Sequence, residues 1–481
     1  MKHSRRFRRA GFALHPVAWT FSAMVLAGCT QFSPDAGMSG LNEIAQDRLQ
    51  ARSQWARTTE EQASIRKEVD ALLARPLTAE DAIQIALLNN RRLQAEFADL
   101  RIAEADLVQA GRLPNPRFST TRTRSADSFK YETSLTFPIL GLVTMPAALK
   151  LERRRLEAVR LQVADRLLQL AGQTRQAYLE AVEAEAAQRY FEGVHEAAEA
   201  TAELARRMEK AGNFSRLDRL REQAFQLDVA TELSRATAGR AVARERLVRL
   251  LGLDDGGRLV LPSHLPGLPG QAAALSELEP FALDHRIDIQ AARREAEGTA
   301  ASLGLVKVTR FVNALELGPA TVLEQGDATK KGYEINVELP LFDWGGSRVA
   351  RAEAVYMQAV HRVSQVAVDA RSEVREHHAR YVAAWETAKR YRDEVVPLRE
   401  SISDEQLLRY NGMLVSVFEL MSDARDQMAA AQGYARALSD FWQAESALRE
   451  SLGGRLPTPT LSARAPAPVT TAPAGHDHSG D

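Results

Sequence analysis

Residues 131–140 read YETSLTFPIL, and residues 333–342 read YEINVELPLF. Tyr, Glu and Pro fall at the same places in both. In a strand, alternate side chains face opposite sides. Tyr131, Thr133, Leu135 and Phe137 then share one face, and Glu132, Ser134 and Thr136 the other. In the second stretch Tyr333, Ile335, Val337 and Leu339 oppose Glu334, Asn336 and Glu338. Such a strand suits a soluble sheet lying on a core. It equally suits a barrel with lipid outside and water inside.

The surroundings are helical. From about Ala147 to Glu209 the chain contains no Pro and keeps a helical period, which at 1.5 Å per residue makes a rod of about 95 Å. KAGNFS (210–215) breaks it, and a second long helix runs to Leu251. The pattern then repeats. A helix opens behind Asp343, runs to about Arg409 with Pro397 as the expected kink, and breaks at YNGMLVS. A last long helix ends at LGG. Tyr131 and Tyr333 lie 202 residues apart, Gly212 and Gly412 200 apart, and Leu251 and Leu452 201 apart. Such agreement between independent landmarks marks an internal duplication. Each unit reads helix, strand, strand, long helix, long helix, which gives a mostly α fold with a small β part.

Ahead of the repeats, one helix is expected from about Leu41 to Ala74. Another runs from the N-cap Thr78, with Asp81 as its capping-box partner, to Gly111. RFSTTRTR (117–124) reads as the strand before the first quoted stretch, and FVNALELGP as the strand before the second. The divisions are 1–28, 29–77, 78–254 (first repeat), 255–274 (linker), 275–454 (second repeat) and 455–481, a Pro-, Ala- and Thr-rich tail expected to be disordered.

Four strands cannot close a barrel, since even the smallest outer-membrane barrels need about eight. Three chains would supply about twelve. The seam Val349, Ala352, Tyr356, Ala359, Val363, Val366, Ala370, Val374, Tyr381, Trp385, Ala388 and Tyr391 steps by three or four, as packed rods require. Further alanines, Ala354, Ala367, Ala379, Ala383 and Ala384, widen that surface. A helix in a closed ring has two neighbours and needs two such seams.

The first residues carry Lys2, Arg5, Arg6, Arg8 and Arg9, then an apolar run, then Leu26-Ala27-Gly28-Cys29. That is the layout of a bacterial secretory signal ending in a lipobox. Cys29 is the only cysteine of 481 residues and is the expected lipidation site. Removing residues 1–28 takes the formal net charge from −1 to −6, a balance with nothing in it for nucleic acid. Thr30, in place of an Asp, favours the outer membrane over the inner. No later segment has 18 or more consecutive apolar residues, so no transmembrane helix is expected. The membrane is met through lipid, through strands, or through both. No P-loop, dinucleotide turn or H-E-x-x-H is present, so neither catalysis nor a cofactor is expected.

In the order of its landmarks, LTAEDAIQIALLNN, AGRLPNP, strands ending in FP and LPLFDWGGSR, YNGMLVSVFEL and the LLGL ends, the chain resembles the TolC family of outer-membrane efflux proteins, from about Thr78 to Gly454. The lipobox fits the family's lipoprotein branch. The resemblance implies a homotrimer, with a twelve-stranded β-barrel in the outer membrane above a long-helix α-barrel. It also implies a periplasmic adaptor and an inner-membrane pump as partners. The helix-tip turns at Gly212, Asn213, Asn411 and Gly412 would form the periplasmic entrance. Tyr410 and Glu419 match the family's aperture Tyr and first acidic residue, with Asp218 as first-repeat counterpart. Ser422 stands at the second acidic position, with Asp423 beside it. A carboxylate ring would favour cations; a solvated helix face is the alternative for Glu419. His476 and His478 flank Asp477 in the tail and are candidate metal ligands. The expected function is the passive exit duct of a tripartite efflux system. A type I protein-secretion channel and a structural coiled-coil envelope lipoprotein are the alternatives.

Overall fold

The computed structural model describes residues 32–457 apart from 36, 126–127, 273–276 and 312–313. Cys29, His476 and His478 lie outside the described residues.

Two short helices come first, α1 (Met38–Leu49) and α2 (Thr59–Leu73). They replace the single helix expected over 41–74. Gln50 sits in the left-handed region and stops α1, while the Thr58 capping box with Glu61 starts α2. Next come α3 (Ala79–Asn89) and α4 (Arg91–Ala110). Asp81 does close the capping box at Thr78. The helix expected to run on to Gly111 breaks at Asn90, whose backbone is extended and whose side chain caps α4 at Leu93 N. Apolar spacing continues across the break, because both helices bury the same side, so periodicity conceals it.

The first hairpin is β1 (Arg117–Arg124) and β2 (Phe129–Pro138). Then α5 (Ile139–Lys210) runs unbroken for 72 residues, about 108 Å. It begins at Ile139 rather than near Ala147, and Pro146 is absorbed within its early turns. The helix α6 (Arg216–Leu251) returns beside it.

The second repeat follows the same order: α7 (Leu278–His285), α8 (Ile287–Thr309), β3 (Leu315–Glu324), β4 (Lys330–Val337), α9 (Gly346–Arg390), α10 (Val396–Asn411) and α11 (Val417–Ser451). Between α9 and α10 lies one π-helical turn, Tyr391–Val395. The kink expected at Pro397 is this turn, set just ahead of it. Proline has no N–H and its ring crowds the carbonyl four residues back; widening the preceding turn relieves both. Gly433 on α11 makes room, since a Cβ there would stand 2.6 Å from the Tyr391 ring.

The junction helices show how alike the repeats are. Asn90, between α3 and α4, donates to Leu250 O at 2.8 Å. Arg286, between α7 and α8, donates to Ser451 O at 3.3 Å. Each grips the closing end of its own repeat. Gly252 and Gly453 follow those ends with φ of 67° and 82°, pressed against Asn89 O and His285 O. Only glycine takes both the turn and the approach without strain.

The four strands form one open antiparallel sheet in the order β1-β2-β3-β4. Phe118 pairs with Leu135, Tyr131 with Leu323, Phe137 with Leu317, and Leu317 with Ile335. Within the two quoted stretches the faces separate as the alternation predicts, while Arg122, opposite Tyr131, and Lys331, opposite Thr321, share the apolar side near the hairpin turns. Phe118, Tyr131, Leu135, Phe137, Leu317, Leu323, Tyr333, Ile335 and Val337 lie on one side. Glu132, Ser134, Thr136, Glu316, Glu334 and Asn336 lie on the other. On the polar side Thr136 donates to Glu316 at 3.2 Å and Arg117 pairs with Glu316 at 3.4 Å.

The helix cores are separate patches along the rods. Leu247 and Leu251 pack with Tyr178, Val182 and Ile85. Tyr381, Phe441, Leu448 and Leu452 form the second-repeat equivalent. A third joins Leu41 and Ala45 to Leu87, Phe97 and Leu167. The linker is strapped to the rods by two indoles: Trp442 donates to Pro266 O at 2.9 Å and Trp385 to Pro269 O at 3.2 Å. Every seam residue predicted on α9 is buried or half-buried; of the further alanines, Ala367 and Ala384 are half-buried while Ala354, Ala379 and Ala383 are exposed.

Candidate functional site

The two helix tips are built by the same hydrogen bonds. At the first, Ala211 N donates to Arg207 O, Gly212 N to Glu209 O and Asn213 N to Met208 O. At the second, Gly412 N donates to Leu408 O, Met413 N to Tyr410 O and Leu414 N to Arg409 O. These bonds satisfy the last carbonyls of each helix. Their equivalent donors are 201 residues apart, so the structural counterpart of Gly212 is Met413. The 200-residue pairing with Gly412 is corrected accordingly. Gly212 has φ 77°, Met413 φ 59°, and Gly412 an ordinary negative φ. Gly212, Asn213, Asn411 and Gly412 are all exposed.

The next helix opens alike in both repeats. Ser215 and Ser416 are N-caps whose hydroxyls accept from Asp218 N at 3.1 Å and Glu419 N at 3.2 Å. Asp218 and Glu419 are therefore equivalent, as the sequence predicts, and each carboxylate is engaged locally. Ser215 Oγ donates to Asp218 at 2.7 Å, and Arg221 pairs with Asp218 at 3.2 Å. Ser416 N donates to Glu419 Oε2 at 2.8 Å. Glu419 remains exposed, its charge held at a fixed place beside the tip, where the helix dipole also favours an anion. Tyr410 is in the last turn of α10 and is partly exposed.

Asp423 is placed differently. One turn beyond Glu419, it is buried, and its Oδ2 has no hydrogen-bond partner. Its counterpart is Glu222, fully buried, with Oε1 also unpartnered. Arg425 of α11 pairs with Glu222 of α6 and lies over the Phe225 ring at 4.2 Å. Arg221 reaches the Phe418 ring at 5.8 Å. Two arginines thus tie the tip of one repeat to that of the other. Sequence reasoning passed over Glu222 and Arg425. The 201-residue spacing was the available signal, because it sets Glu222 opposite Asp423.

Among the described residues, no group of three or more His, Cys, Asp and Glu side chains is arranged to hold a metal ion. No described helix is long and apolar enough to cross a membrane.

Residues 82–253 match the outer membrane efflux protein family. The cobalt-zinc-cadmium resistance protein CzcC of Cupriavidus metallidurans is 25% identical over 272 residues, 56% of this chain. The match spans 64% of that protein's length, a little under two thirds. Three solved structures share the fold. The outer-membrane channel OprN superposes with a TM-score of 0.66 at 20% identity, covering 88% of this chain and 98% of its own. CusC gives 0.65 at 18%, covering 78% and 92%. The CmeC outer membrane channel of Campylobacter jejuni gives 0.64 at 18%, covering 79% and 86%. The long-helix, small-sheet architecture is thus that of the TolC-like channels.

Proposed function

We propose that this chain, whose residues 82–253 match the outer membrane efflux protein family, is one protomer of a trimeric outer-membrane exit duct that works passively within a tripartite efflux system. The observation that carries the proposal is the sheet. Its apolar face is open to the surroundings, with Phe118, Tyr333, Ile335 and Val337 all at least half exposed. Its outer strands β1 and β4 each have one unpaired edge. Lipid would satisfy that face, and three copies joined edge to edge would supply about twelve strands, enough to close a barrel. The polar face then lines a wet interior. The exposed alanines of α9 supply the second seam that a ring of rods needs.

Cys29 would carry the lipid anchor, and the helix tips would meet a periplasmic adaptor joined to an inner-membrane pump. The entrance acids Glu419 and Asp218 make metal cations and small cationic molecules the favoured cargo; the relation to a cobalt-zinc-cadmium resistance protein agrees with that choice.

Single-channel recording in planar bilayers tests the duct, and absence of any pore at all voltages would sink it. Cysteine pairs scanned along β1 and β4 test the closure: disulfide-linked trimers are expected, and a ladder confined to dimers would refute three-fold joining. Glu419→Gln tests the ring. Gln can still complete a capping box, so folding is retained while cation selectivity falls. Unchanged selectivity would leave Glu419 with a capping role alone.

A further inference from the structure

The sheet distributes its charges unevenly between its two sides. On the polar side each basic strand residue has a carboxylate within reach. Arg117 pairs with Glu316 at 3.4 Å, Lys330 with Glu324 at 3.2 Å, and Lys130 with Glu132. The register sets Arg122, Arg124 and Lys331 on the apolar side instead, and all three are exposed. That side of the four strands carries no Asp or Glu to balance them.

Their placement is also particular. Arg124 is the last residue of β1, Arg122 stands two before it, and Lys331 is the second residue of β4. All three therefore lie at the hairpin end, away from the rods, and on the two outer strands. The inner strands β2 and β3 have no basic residue on this side. Arg122 and Arg124 are level with Tyr131 and Phe129, whose rings meet edge to face at 5.6 Å. The Arg122 guanidinium stands 5.4 Å from the centre of the Tyr131 ring. Aromatic rings beside basic groups suit the level of lipid headgroups. A charge on a lipid-facing side costs most at mid-membrane and little at that level, and long stems carry it outward.

We infer that these residues bind the phosphates of an outer-leaflet lipid headgroup across the seam between two copies. The inference rests on the proposed trimeric closure. There β4 of one copy lies beside β1 of the next, so each seam gathers Lys331 from one and Arg122 and Arg124 from the other. Like charges on neighbouring strands repel. A headgroup with two phosphates relieves that repulsion, because it takes a guanidinium in a bidentate way and still has oxygens for the ammonium. Neither copy holds the complete site alone. Charges on edge strands also discourage wrong pairing, a role that asks for no lipid.

The full chain is purified in neutral detergent, and the temperature at which its oligomer is lost is followed while lipid is added. Bisphosphorylated lipid A should raise that temperature saturably; phosphatidylcholine should not. Arg122→Gln and Lys331→Gln should each raise the half-maximal lipid A concentration roughly fivefold, whereas Lys130→Gln, on the polar side, should leave it unchanged. No saturable rise, an equal rise with free pyrophosphate, or an equal shift in all three variants overturns the inference. Conductance in phosphatidylcholine bilayers is recorded alongside. A pore there together with any of those results leaves the duct standing and removes only the lipid site; no pore removes both.

Discussion

The two repeats share a hydrogen-bonded frame and differ in how they bend. In the first, β2 ends at Pro138 and α5 starts at Ile139 with nothing between them. In the second, residues 338–345 separate strand from helix, and Gly345 with φ 72° opens α9. The first rod is continuous to its tip; the second is interrupted by the π turn beside Pro397. The first tip turns on a glycine, the second on Met413. The junction grips and N-caps are nevertheless kept in both. Bonds between repeat ends are kept in both, and irregular backbone is tolerated between them in the second repeat.

The largest effect is expected where the repeats join in the sheet. A Cβ on Gly318 would fall on the backbone of Leu135, so Gly318→Val should separate β2 from β3. We expect a loss of more than about 3 kcal/mol, read as loss of conductance and of heat-resistant oligomer. Next come the equivalent glycines at the repeat ends. A Cβ at Gly252 would meet Asn89 O at 2.6 Å, against 3.2 Å to His285 O at Gly453. Gly252→Ala should cost about 2 kcal/mol and Gly453→Ala about 1 kcal/mol, measured by thermal or denaturant unfolding. Equal losses would show that the two ends are not differently packed.

The tips should respond with opposite signs. Gly212→Ala places a side chain in the left-handed region and should cost about 1 kcal/mol, whereas Met413→Gly relieves that strain and should gain about 0.5 kcal/mol after the added unfolded-state entropy. Stability losses in both would remove the strain from Met413.

The smallest effect concerns pH at the contact between repeats. Asp165 on α5 is pushed up to about 6, first by burial and then by Asp288, with Arg286 and Gln169 opposing. Glu450 on α11 is raised mainly by burial, with Asp165 and Glu373 adding to it and Arg286 opposing. A raised carboxyl binds its proton more tightly folded than unfolded, so its contribution to stability is present at low pH and lost as pH rises through about 6. Asp165→Asn should therefore raise Tm more at pH 7.5 than at pH 5. A difference independent of pH would assign the effect to packing.

Much of this was legible in the sequence. Strand faces, rods, duplication and the Thr78 cap rest on side-chain pattern, which repeats at fixed intervals. The breaks at Gln50 and Asn90 were hidden because each leaves the apolar side of the chain continuous. Met413 was hidden because its left-handed turn is imposed by three backbone hydrogen bonds, while the neighbouring Gly412 offered the more obvious residue. Arg425 with Glu222 depends on helices far apart in sequence and follows from no local pattern. Asp218 and Glu419 were singled out by resemblance, and their capping bonds only by geometry.

The free edges of β1 and β4 have one more consequence. Joining one to the other is a head-to-tail contact, in which each copy offers unlike surfaces to its two neighbours. Such contacts close into a ring only when the rotation between copies divides a full circle; otherwise they run on as a filament. The four strands alone are too narrow a hinge to set that rotation. In the proposed ring the rods, packed over a length several times that of the sheet, would act as its lever arm, so the angle at which a barrel closed would be decided well outside the membrane.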